Sequence, residues 1–505
     1  MHPMFRPCPL PLKGDGYTVS GECLASPKAR QRSVYNLTNR KSAREAFPGV
    51  AQDSRMVLYG VSDFVHRYLT TPITHDDIDE SLAFMETANA ITGRSLYFPE
   101  RTWRRVVRLH GGYLPIRIEA LPEGSTFYPF EPYVQVTAGD EYGELAAQIE
   151  MLLAGMIGIC TARVTLERHL LERMTEFVMR DRPDASLDAA TEMARDLIID
   201  FGGRATIIDD EAELAGRCHL ICFNGTDTFN AAYRARKMGA PPPVGTSILA
   251  LAHRIVQGWD EEAQAYQRLA YCAPEGASYV ADCYNYKHAV ENYLLPIAKG
   301  GKLVLARPDS GNAIDQIDWT VSTAMSHGLF RDQGGRTFGT DLQVIYGDSV
   351  KWETITRLYD HLRKVSHAPT GWLRFGIGGW LRNTPNRDSL STAYKLAARG
   401  DELEPVVKLS EVAGKLSVPG PTLFHHNHPR IRIGCNGMET QFRTYYNNGG
   451  VNDPPNFMAI RDRATHSFRN DKHLKLPPDY GMNGETLGED VKAVQYAYRE
   501  KHRHG

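Results

Sequence analysis

The clearest pattern in the chain is a series of short apolar runs that each end in charged or glycine-rich residues. In Lys302-Leu-Val-Leu-Ala-Arg307, the run after Gly301 is too short for a helix and is followed at once by Pro308. A residue before proline is biased towards an extended backbone, so we expect Arg307 and Asp309 at the end of a buried strand.

Similar runs recur with helical spacers beyond residue 190. We interpret as strands Leu197–Ile199, His219–Phe223, Tyr279–Ala281, Leu303–Ala306, Leu342–Tyr346 and Trp372–Phe375. These strands end in Asp200, Asn224–Thr228, Asp282, Arg307 with Asp309, Gly347-Asp348 and Gly376–Gly379. Parallel strands gather such ends at one face, so we expect an α/β fold, an irregular (β/α) barrel with its active site at that face. A doubly wound open sheet is the alternative.

The regions on either side of the barrel have other patterns. Residues 1–145 should form an N-terminal arm, helices and a β-rich segment, residues 146–395 a helical lead-in and the barrel, and residues 396–505 a C-terminal segment that packs with the β-rich domain. The arm, up to about residue 50, is basic and rich in proline, so we expect it to contribute little core.

Periodicity places further elements outside the barrel. We expect two amphipathic helices between Val57 and Thr92, antiparallel strands in Tyr113–Ala120 and Tyr133–Thr137, and two helices between residues 140 and 181. The chain should close with a helix at Asp490–Arg499.

Composition narrows the class of protein. The chain has 505 residues, 42% hydrophobic and 23% charged, with a net charge of −2, and no Lys/Arg-rich block. These values indicate a globular protein and argue against nucleic acid or an anionic membrane as its main partner. The longest apolar run, Met151–Cys160, is too short to span a bilayer, and the scattered cysteines fit reduced thiols. We therefore expect a cytoplasmic protein.

The strand ends carry the chemistry of an anion and sugar site. Gly376–Gly379 would let backbone amides approach a phosphate, and Asp309 and Asp348 suit ribose hydroxyls or, through water, Mg²⁺. Neither a Walker sequence nor a Rossmann fingerprint is present. His253 is a candidate nucleophile or acid/base if Asp282, at the next strand end, orients its ring.

Together these motifs resemble the nicotinamide phosphoribosyltransferase family over most of the chain. The resemblance rests on Asp15-Gly-Tyr17, Leu58–Gly60, Leu114–Ile116, Pro122–Gly124, Asp200–Gly202 with Arg204, Gly225–Thr228, Ser247–His253, Asp282, Arg307–Asn312, Gly347-Asp348, Phe375–Gly379 and Arg387-Asp388. Arg-Pro-Asp-Ser-Gly-Asn in register with Gly-Thr-Asp-Thr is the most specific part of this signature.

The resemblance implies transfer of phosphoribosyl from phosphoribosyl pyrophosphate to nicotinamide, within NAD biosynthesis. By resemblance, Phe201 and a Tyr17 from the partner subunit stack on the pyridine ring, Arg307 lies beside it, and Asp227 accepts a hydrogen bond from the carboxamide. Ribose and phosphate would be bound by Arg204, Asp309, Gly347, Asp348, Gly378 and Gly379. Pyrophosphate would be received by Arg40, Lys41, Arg387, Lys395, Lys408 and Lys415.

The same resemblance implies a homodimer with shared active sites, Mg²⁺ as cofactor with unassigned protein ligands, and ATP coupled through a phosphorylated His253. His253, Asp282 and Asp309 are then the catalytic candidates. The family has a glutamate where this chain has Ala252, so the coupling to ATP is the feature that this departure touches. Two other functions stay open at this point: a nicotinate phosphoribosyltransferase, against which Asp227 argues, and a non-catalytic binding protein of the same fold.

Overall fold

The computed structural model describes residues 7–93, 95–329, 331–332, 337–338, 341–366, 368–409, 416–425, 427, 429–434, 438–473 and 476–502. The chain divides into two units. Unit 1 comprises Met1–Leu166 and Pro385–Gly505, and unit 2 comprises Glu167–Thr384.

The α-helices are α1 (Gly16–Val19), α2 (Pro27–Gln31), α3 (Ala43–Ala46), α4 (Val61–Tyr68), α5 (His75–Thr92), α6 (Glu100–His110), α7 (Gly143–Gln148), α8 (Glu150–Asp181), α9 (Leu187–Ala194), α10 (Asp209–Cys222), α11 (Phe229–Lys237), α12 (His253–Val256), α13 (Glu262–Cys272), α14 (Tyr286–Ala289), α15 (Leu295–Lys299), α16 (Ala313–Ser326), α17 (Trp352–His361), α18 (Gly379–Asn383), α19 (Phe457–His473) and α20 (Glu489–Lys501). Short 3₁₀ turns occupy Leu10–Leu12, Gly21–Leu24, Gly202–Ala205 and Thr370–Trp372, and π turns occupy Val290–Leu294 and Leu362–Ser366.

The strands are β1 (Ser33–Asn39), β2 (Met56–Val57), β3 (Ile116–Ala120), β4 (Thr126–Phe127), β5 (Val134–Ala138), β6 (Ile198–Asp200), β7 (Gly225–Thr226), β8 (Gly276–Val280), β9 (Leu303–Arg307), β10 (Arg331–Asp332), β11 (Thr337–Phe338), β12 (Leu342–Tyr346), β13 (Leu373–Ile377), β14 (Thr392–Arg399), β15 (Glu404–Pro405), β16 (Thr422–Phe424), β17 (Ile431–Ile433), β18 (Arg443–Asn447) and β19 (Gly450–Val451).

Unit 2 contains the expected barrel. Its six-stranded sheet has the order β7-β6-β13-β12-β9-β8, and each neighbouring pair is parallel. The segment 246–251 joins the two edges, because Thr246 forms a parallel bridge to Gly225 of β7 and Ala250 forms one to Ser278 of β8. The irregular (β/α) barrel is therefore confirmed over the open sheet.

The barrel strands form where the apolar runs predicted them, because their side chains are buried on both faces. Every residue of β8 is buried, as expected for a parallel strand covered by helices. Tyr266 of α13, Tyr279 of β8 and Val304 of β9 belong to one buried apolar cluster, so the helix packs directly on these strands.

One predicted strand is wrong. His219–Phe223 is the buried end of helix α10, and the strand that follows it, β7, has only two residues. The pattern of a short apolar run does not distinguish a buried strand from the buried face of a helix. Here the acidic first turn, which begins at Asp209, is the feature that indicates a helix. The polar segment that follows α10 still lies at the carboxyl ends of the barrel strands, as predicted.

Unit 1 is built on a seven-stranded sheet with the order β15-β14-β1-β5-β3-β18-β19. The antiparallel pair β3 and β5 is confirmed, as are α4, α5, α7, α8 and α20. Helix α19 was not expected. Among the described helices, none is both long and apolar enough to cross a bilayer.

The expectation that the N-terminal arm adds little core is wrong. Strand β1 lies inside the sheet, paired antiparallel with β14 on one side and β5 on the other, and Val34 and Leu37 are fully or almost fully buried. This seven-residue strand was missed because it lies between basic segments and its apolar side chains alternate with polar ones only in part. The alternating pattern typical of a strand was therefore weak.

We predict that Leu37→Ala lowers the free energy of unfolding by about 2–5 kcal/mol, because it empties a buried site in a central strand. Denaturant unfolding followed by circular dichroism measures this change. The matched control is Leu24→Ala in the same segment, where the side chain is 87% exposed and the change should stay within about 0.5 kcal/mol. Equal, small effects of both substitutions would mean that β1 is not part of the core.

Candidate active site

Two adjoining cavities open at the carboxyl ends of the strands of unit 2. Alternate residues of a strand face the same side, and accordingly Leu305 and Arg307 of β9 line the smaller cavity, of about 230 Å³. The larger cavity, of about 730 Å³, shares Phe201, Asp227 and Arg307 with it. These three predicted residues therefore form the common wall.

Phe201 is held at the end of β6 by the barrel itself. Its N–H donates to the carbonyl of Ile377 over 2.9 Å, and its ring lies against two glycines of the neighbouring strands. A Cβ atom on Gly376 would come within 1.9 Å of Phe201 Cε2, and one on Gly347 within 3.5 Å. The absence of a side chain at Gly376 is what makes room for the ring.

Asp227 lines both cavities, and a hydroxyl group donates a hydrogen bond to its carboxylate. Its N–H donates to the carbonyl of Asp200 over 2.9 Å, and its carboxylate accepts a hydrogen bond from Ser247 Oγ. Burial raises the pKa of Asp227, while the bond from Ser247 and the charge of Arg307 oppose that rise in part. The carboxylate is thus a hydrogen-bond acceptor in the wall of both cavities, and the residue is exposed. Ser247 entered the sequence analysis only as part of a matched segment.

Arg307 lines both cavities. Its Nη2 donates to the carbonyl of Leu251 over 3.1 Å, and lies 3.8 Å from Asp309 Oδ2. Its Nε is buried and has no hydrogen-bond partner among the described residues. A buried guanidinium nitrogen without a hydrogen-bond partner is costly.

The three catalytic candidates lie together beside this wall. His253 Nε2 is 3.2 Å from Asp282 Oδ1, and His253 Nδ1 is 4.0 Å from Asp309 Oδ2. The other oxygen of Asp282 accepts from Asp309 N–H and Ser310 Oγ. Asp282 is buried while the imidazole is 41% exposed, so the carboxylate can orient a ring that solvent and ligands still reach.

The larger cavity collects the predicted sugar and phosphate residues, namely Arg204, Asp309, Gly347, Asp348, Gly378 and Gly379. The structure adds Lys351, Ser349 and Trp380 to its lining, which the sequence analysis did not single out. Lys351 directly precedes α17, and its Nζ lies 3.9 Å from Glu353 Oε2. The sequence feature that could have identified Lys351 is its position shortly after a barrel strand, β12, which ends at Tyr346.

The predicted stacking residue Tyr17 and the predicted pyrophosphate residues that the structure describes lie in unit 1. The carbonyl of Leu390 accepts the N–H groups of both Arg40 and Lys41, and burial together with the nearby charge of Arg387 lowers the pKa of Arg40. Arg40, Lys41 and Arg387 thus form one basic group.

The remaining members are placed separately. Lys395 of β14 has its Nζ 3.4 Å from Glu150 Oε1, and Lys408 is tied through its N–H to Ser417 Oγ. Tyr17 of α1 is 70% exposed. Lys415 lies outside the described residues. Asp388 pairs with Arg387 over 2.7 Å.

Comparison with known proteins identifies similar phosphoribosyltransferases. The model of the nicotinate phosphoribosyltransferase (NAPRTase) family matches residues 197–418, the range that carries both cavities. The chain is 28% identical over 356 residues to a nicotinamide phosphoribosyltransferase of Xanthomonas campestris, covering 67% of this chain and 72% of the relative. It is 24% identical to that of Acinetobacter baylyi, over 68% and 73% of the two chains.

Solved structures share the fold at low identity. Nicotinate-nucleotide pyrophosphorylase from Pyrococcus furiosus superposes with a TM-score of 0.59 at 14% identity, over 94% of this chain and 100% of that one. Human nicotinic acid phosphoribosyltransferase gives a TM-score of 0.56 at 15% identity, over 96% and 99%. The α/β class and the barrel are thereby supported independently of the local contacts.

We predict that Gly376→Ala weakens binding of nicotinamide by about 1–3 kcal/mol, because the new methyl group displaces the Phe201 ring from its seat. Isothermal titration calorimetry measures the affinity. The matched control is Gly371→Ala, since an added Cβ there meets nothing within 4 Å. Unchanged affinity in Gly376→Ala would show that the position of the ring does not matter for the base.

Proposed function

We propose that the chain, which is similar to the nicotinate phosphoribosyltransferase family over residues 197–418, transfers the phosphoribosyl group of phosphoribosyl pyrophosphate to nicotinamide. The products are nicotinamide mononucleotide and pyrophosphate, so the enzyme is a pentosyltransferase of NAD biosynthesis. The observation that carries the choice of base is the carboxylate of Asp227, which lines the cavity together with Phe201 and Arg307.

The base cavity favours an uncharged amide over an acid. The NH₂ group of nicotinamide can donate to Asp227, and its carbonyl can accept from a guanidinium donor of Arg307. The carboxylate of nicotinate offers no donor and would place a second negative charge next to Asp227. Phe201 supplies a flat aromatic face for a ring that becomes cationic as the new bond forms.

The reaction itself is a displacement at the anomeric carbon of the sugar. The lone pair of the pyridine nitrogen forms the bond to C1′ while the bond from C1′ to the pyrophosphate oxygen breaks, and its electrons leave with pyrophosphate. Asp309 and Asp348 would bind the ribose hydroxyls, and Gly378 and Gly379 would leave backbone amides open to the 5′-phosphate. Binding both reactants beside one another removes most of the entropic cost of their encounter.

Charge on the leaving group must be stabilised as it develops. Arg40, Lys41 and Arg387, with Lys395, Lys408 and Lys415, are the proposed cations for it. Mg²⁺ usually takes one or two carboxylates together with substrate phosphates. Asp309 and Asp348 are the carboxylates in the cavity that would hold it. When bound, Mg²⁺ would supply positive charge to the pyrophosphate.

ATP remains a proposed co-substrate. His253 would accept the terminal phosphoryl group of ATP, with ADP as the leaving group, and Asp282 would keep the imidazole oriented for that attack. The 41% exposure of the His253 side chain supports access by a nucleotide. Ala252 occupies a position where the family has an acidic residue. The assay below, run with and without ATP, measures how strongly ATP hydrolysis is coupled to turnover.

We propose further that the protein acts as a homodimer with shared active sites, located in the cytoplasm. An apolar patch supports an interface near the site: Ile207, Phe229 and Tyr233 are 95%, 72% and 62% exposed. The side-chain amide of Asn230 donates to the carbonyl of Asp209 over 3.0 Å, which brings the two ends of the patch together. Apolar patches on monomer surfaces mark interaction sites, and an exposed Tyr17 from a partner would complete the stacking.

We predict that kcat/KM with nicotinamide exceeds that with nicotinate by at least about tenfold, the factor that one unfavourable charge contact of about 1.4 kcal/mol produces. Release of pyrophosphate is measured for both bases, with and without ATP and with and without Mg²⁺. In Asp227→Asn the preference should shrink, because the repelling charge is gone. Higher kcat/KM with nicotinate in the wild type would overturn the choice of base.

The pH dependence of this preference should reveal Asp227. Burial raises its pKa, so on acidification it becomes protonated at a higher pH than a free aspartate, and the repulsion of nicotinate fades. The preference for nicotinamide should thus decline as the pH falls, beginning above the usual range near about 3.9. In Asp227→Asn the ratio should stay constant over the same pH range.

Subunit mixing tests the shared site. Tyr17→Ala and Asp309→Ala should each lose most activity, yet a random mixture of unfolded and refolded chains should recover about a quarter of the wild-type level, since about half of the dimers carry one intact site. Gel filtration shows the dimer. No recovery in dimeric mixtures would place Tyr17 in the site of its own chain or outside it.

A further inference from the structure

A single buried carboxylate contacts the segments that carry Phe201 and Asp227, two of the side chains proposed to bind the base. Asp200 ends β6 and is completely buried. Its Oδ1 accepts from the N–H of Gly202 over 2.7 Å and forms an ion pair with Arg382, whose Nη2 is 2.6 Å away, and its Oδ2 accepts from Thr226 Oγ1 over 2.8 Å. Every one of these contacts leads to a segment of the site.

The first contact fixes Phe201. Phe201 lies between Asp200 and Gly202 in the chain, and the bond from Gly202 N–H back to the carboxylate closes a tight turn around it. The N–H of Phe201 is held at the same time by the carbonyl of Ile377. The backbone that carries the aromatic ring therefore has its direction set on both sides.

The second contact fixes Asp227 in the same way. The hydroxyl of Thr226 donates to Asp200 and accepts from the N–H of Thr228 over 2.9 Å, while the N–H of Asp227 donates to the backbone carbonyl of Asp200 over 2.9 Å. Asp227 is thus enclosed between two threonines that both depend on Asp200.

Arg382 makes this burial of charge possible. The guanidinium is as deeply buried as the carboxylate, and Gly202 leaves it room, because a Cβ there would come within 2.5 Å of Arg382 Nε. Burial by itself would raise the pKa of Asp200, but Arg382, His219 and the hydrogen bonds from Gly202 and Thr226 together lower it. A buried ion pair is strongly destabilised when one partner is removed.

We propose that Asp200, paired with Arg382, is a positioning residue that sets the affinity for the base by fixing Phe201 and Asp227 through one carboxylate. This inference rests on the proposed function for the roles of those two side chains. Phosphoribosyl pyrophosphate should depend on Asp200 much less, since Gly378 and Gly379 follow β13 directly and the N–H of Arg382 bonds to the carbonyl of Gly378.

Steady-state kinetics of Asp200→Asn separates positioning from general damage. The amide keeps the shape of the carboxylate and loses its charge, so KM for nicotinamide should rise about tenfold or more while KM for phosphoribosyl pyrophosphate changes by less than about threefold. Arg382→Met should show the same split, and Arg382→Lys, which keeps the charge, a smaller one. Arg217→Met, which breaks a buried ion pair with Glu213 in the same unit, should raise neither KM selectively.

A double-mutant cycle with Phe201→Ala and Asp227→Asn identifies the route of the effect. If Asp200 acts through these residues, Asp200→Asn should change KM for the base by less than about twofold once both are replaced. An undiminished effect in that background, or equal rises of both KM values that follow the loss of thermal stability, would overturn the proposal. Thermal unfolding is recorded for every variant.

Failure of the proposed function would look different. If the wild type preferred nicotinate, the same split would be measured with nicotinate, and Asp200 would still be tested. If the wild type used neither base, calorimetric binding of nicotinamide and of phosphoribosyl pyrophosphate would replace the KM values. A selective loss of binding of the base would then support the positioning role, and no selective loss would refute it.

Discussion

The site depends most on the parallel pairing of β6 with β13. In this register Gly376 lies opposite Ile199 and Ile377 opposite Asp200, so the end of β6 emerges beside a residue without a side chain. The Phe201 ring occupies that space, and Gly378 and Gly379 follow on the neighbouring strand. One ladder of backbone hydrogen bonds thereby places an aromatic face for a base next to a glycine segment suited to a phosphate. A shift of one residue would turn the ring away from the cavity.

Electrostatics divides the site into regions of different charge. Around the base, Asp227 lies near Arg307, whose buried Nε has no hydrogen-bond partner among the described residues. Beside it, Asp282 joins His253 to the backbone of Asp309. The larger cavity adds Arg204 and Lys351 to Asp309 and Asp348. Carboxylates would thus meet the amide and the hydroxyls, while cations remain for the phosphates, which is the distribution that the proposed reaction needs.

The sequence analysis predicted much of this site because strand ends are local features. A run of apolar residues that stops at a charge or at glycines identifies where a barrel strand opens, and Arg307, Asp309, Asp348 and Gly378 were found in this way. The identity of the base came from the resemblance alone, since no periodicity distinguishes a pyridine from another ring. His219–Phe223 was misassigned because burial makes helix and strand runs alike, and β1 was missed because its pattern is weak.

What the amino-acid sequence determined by itself is the set of strand ends and the residue types at each, since these follow from short-range pattern and backbone preference. Only the tertiary structure decided which of them share a wall, and it showed that Asp200 and Arg382 form a buried ion pair next to the segments that carry Phe201 and Asp227. Arg382 looks in the sequence like any cation of a short helix. Its role depends on contacts between residues 182 positions apart along the chain, Asp200 and Arg382, and such contacts leave no local pattern.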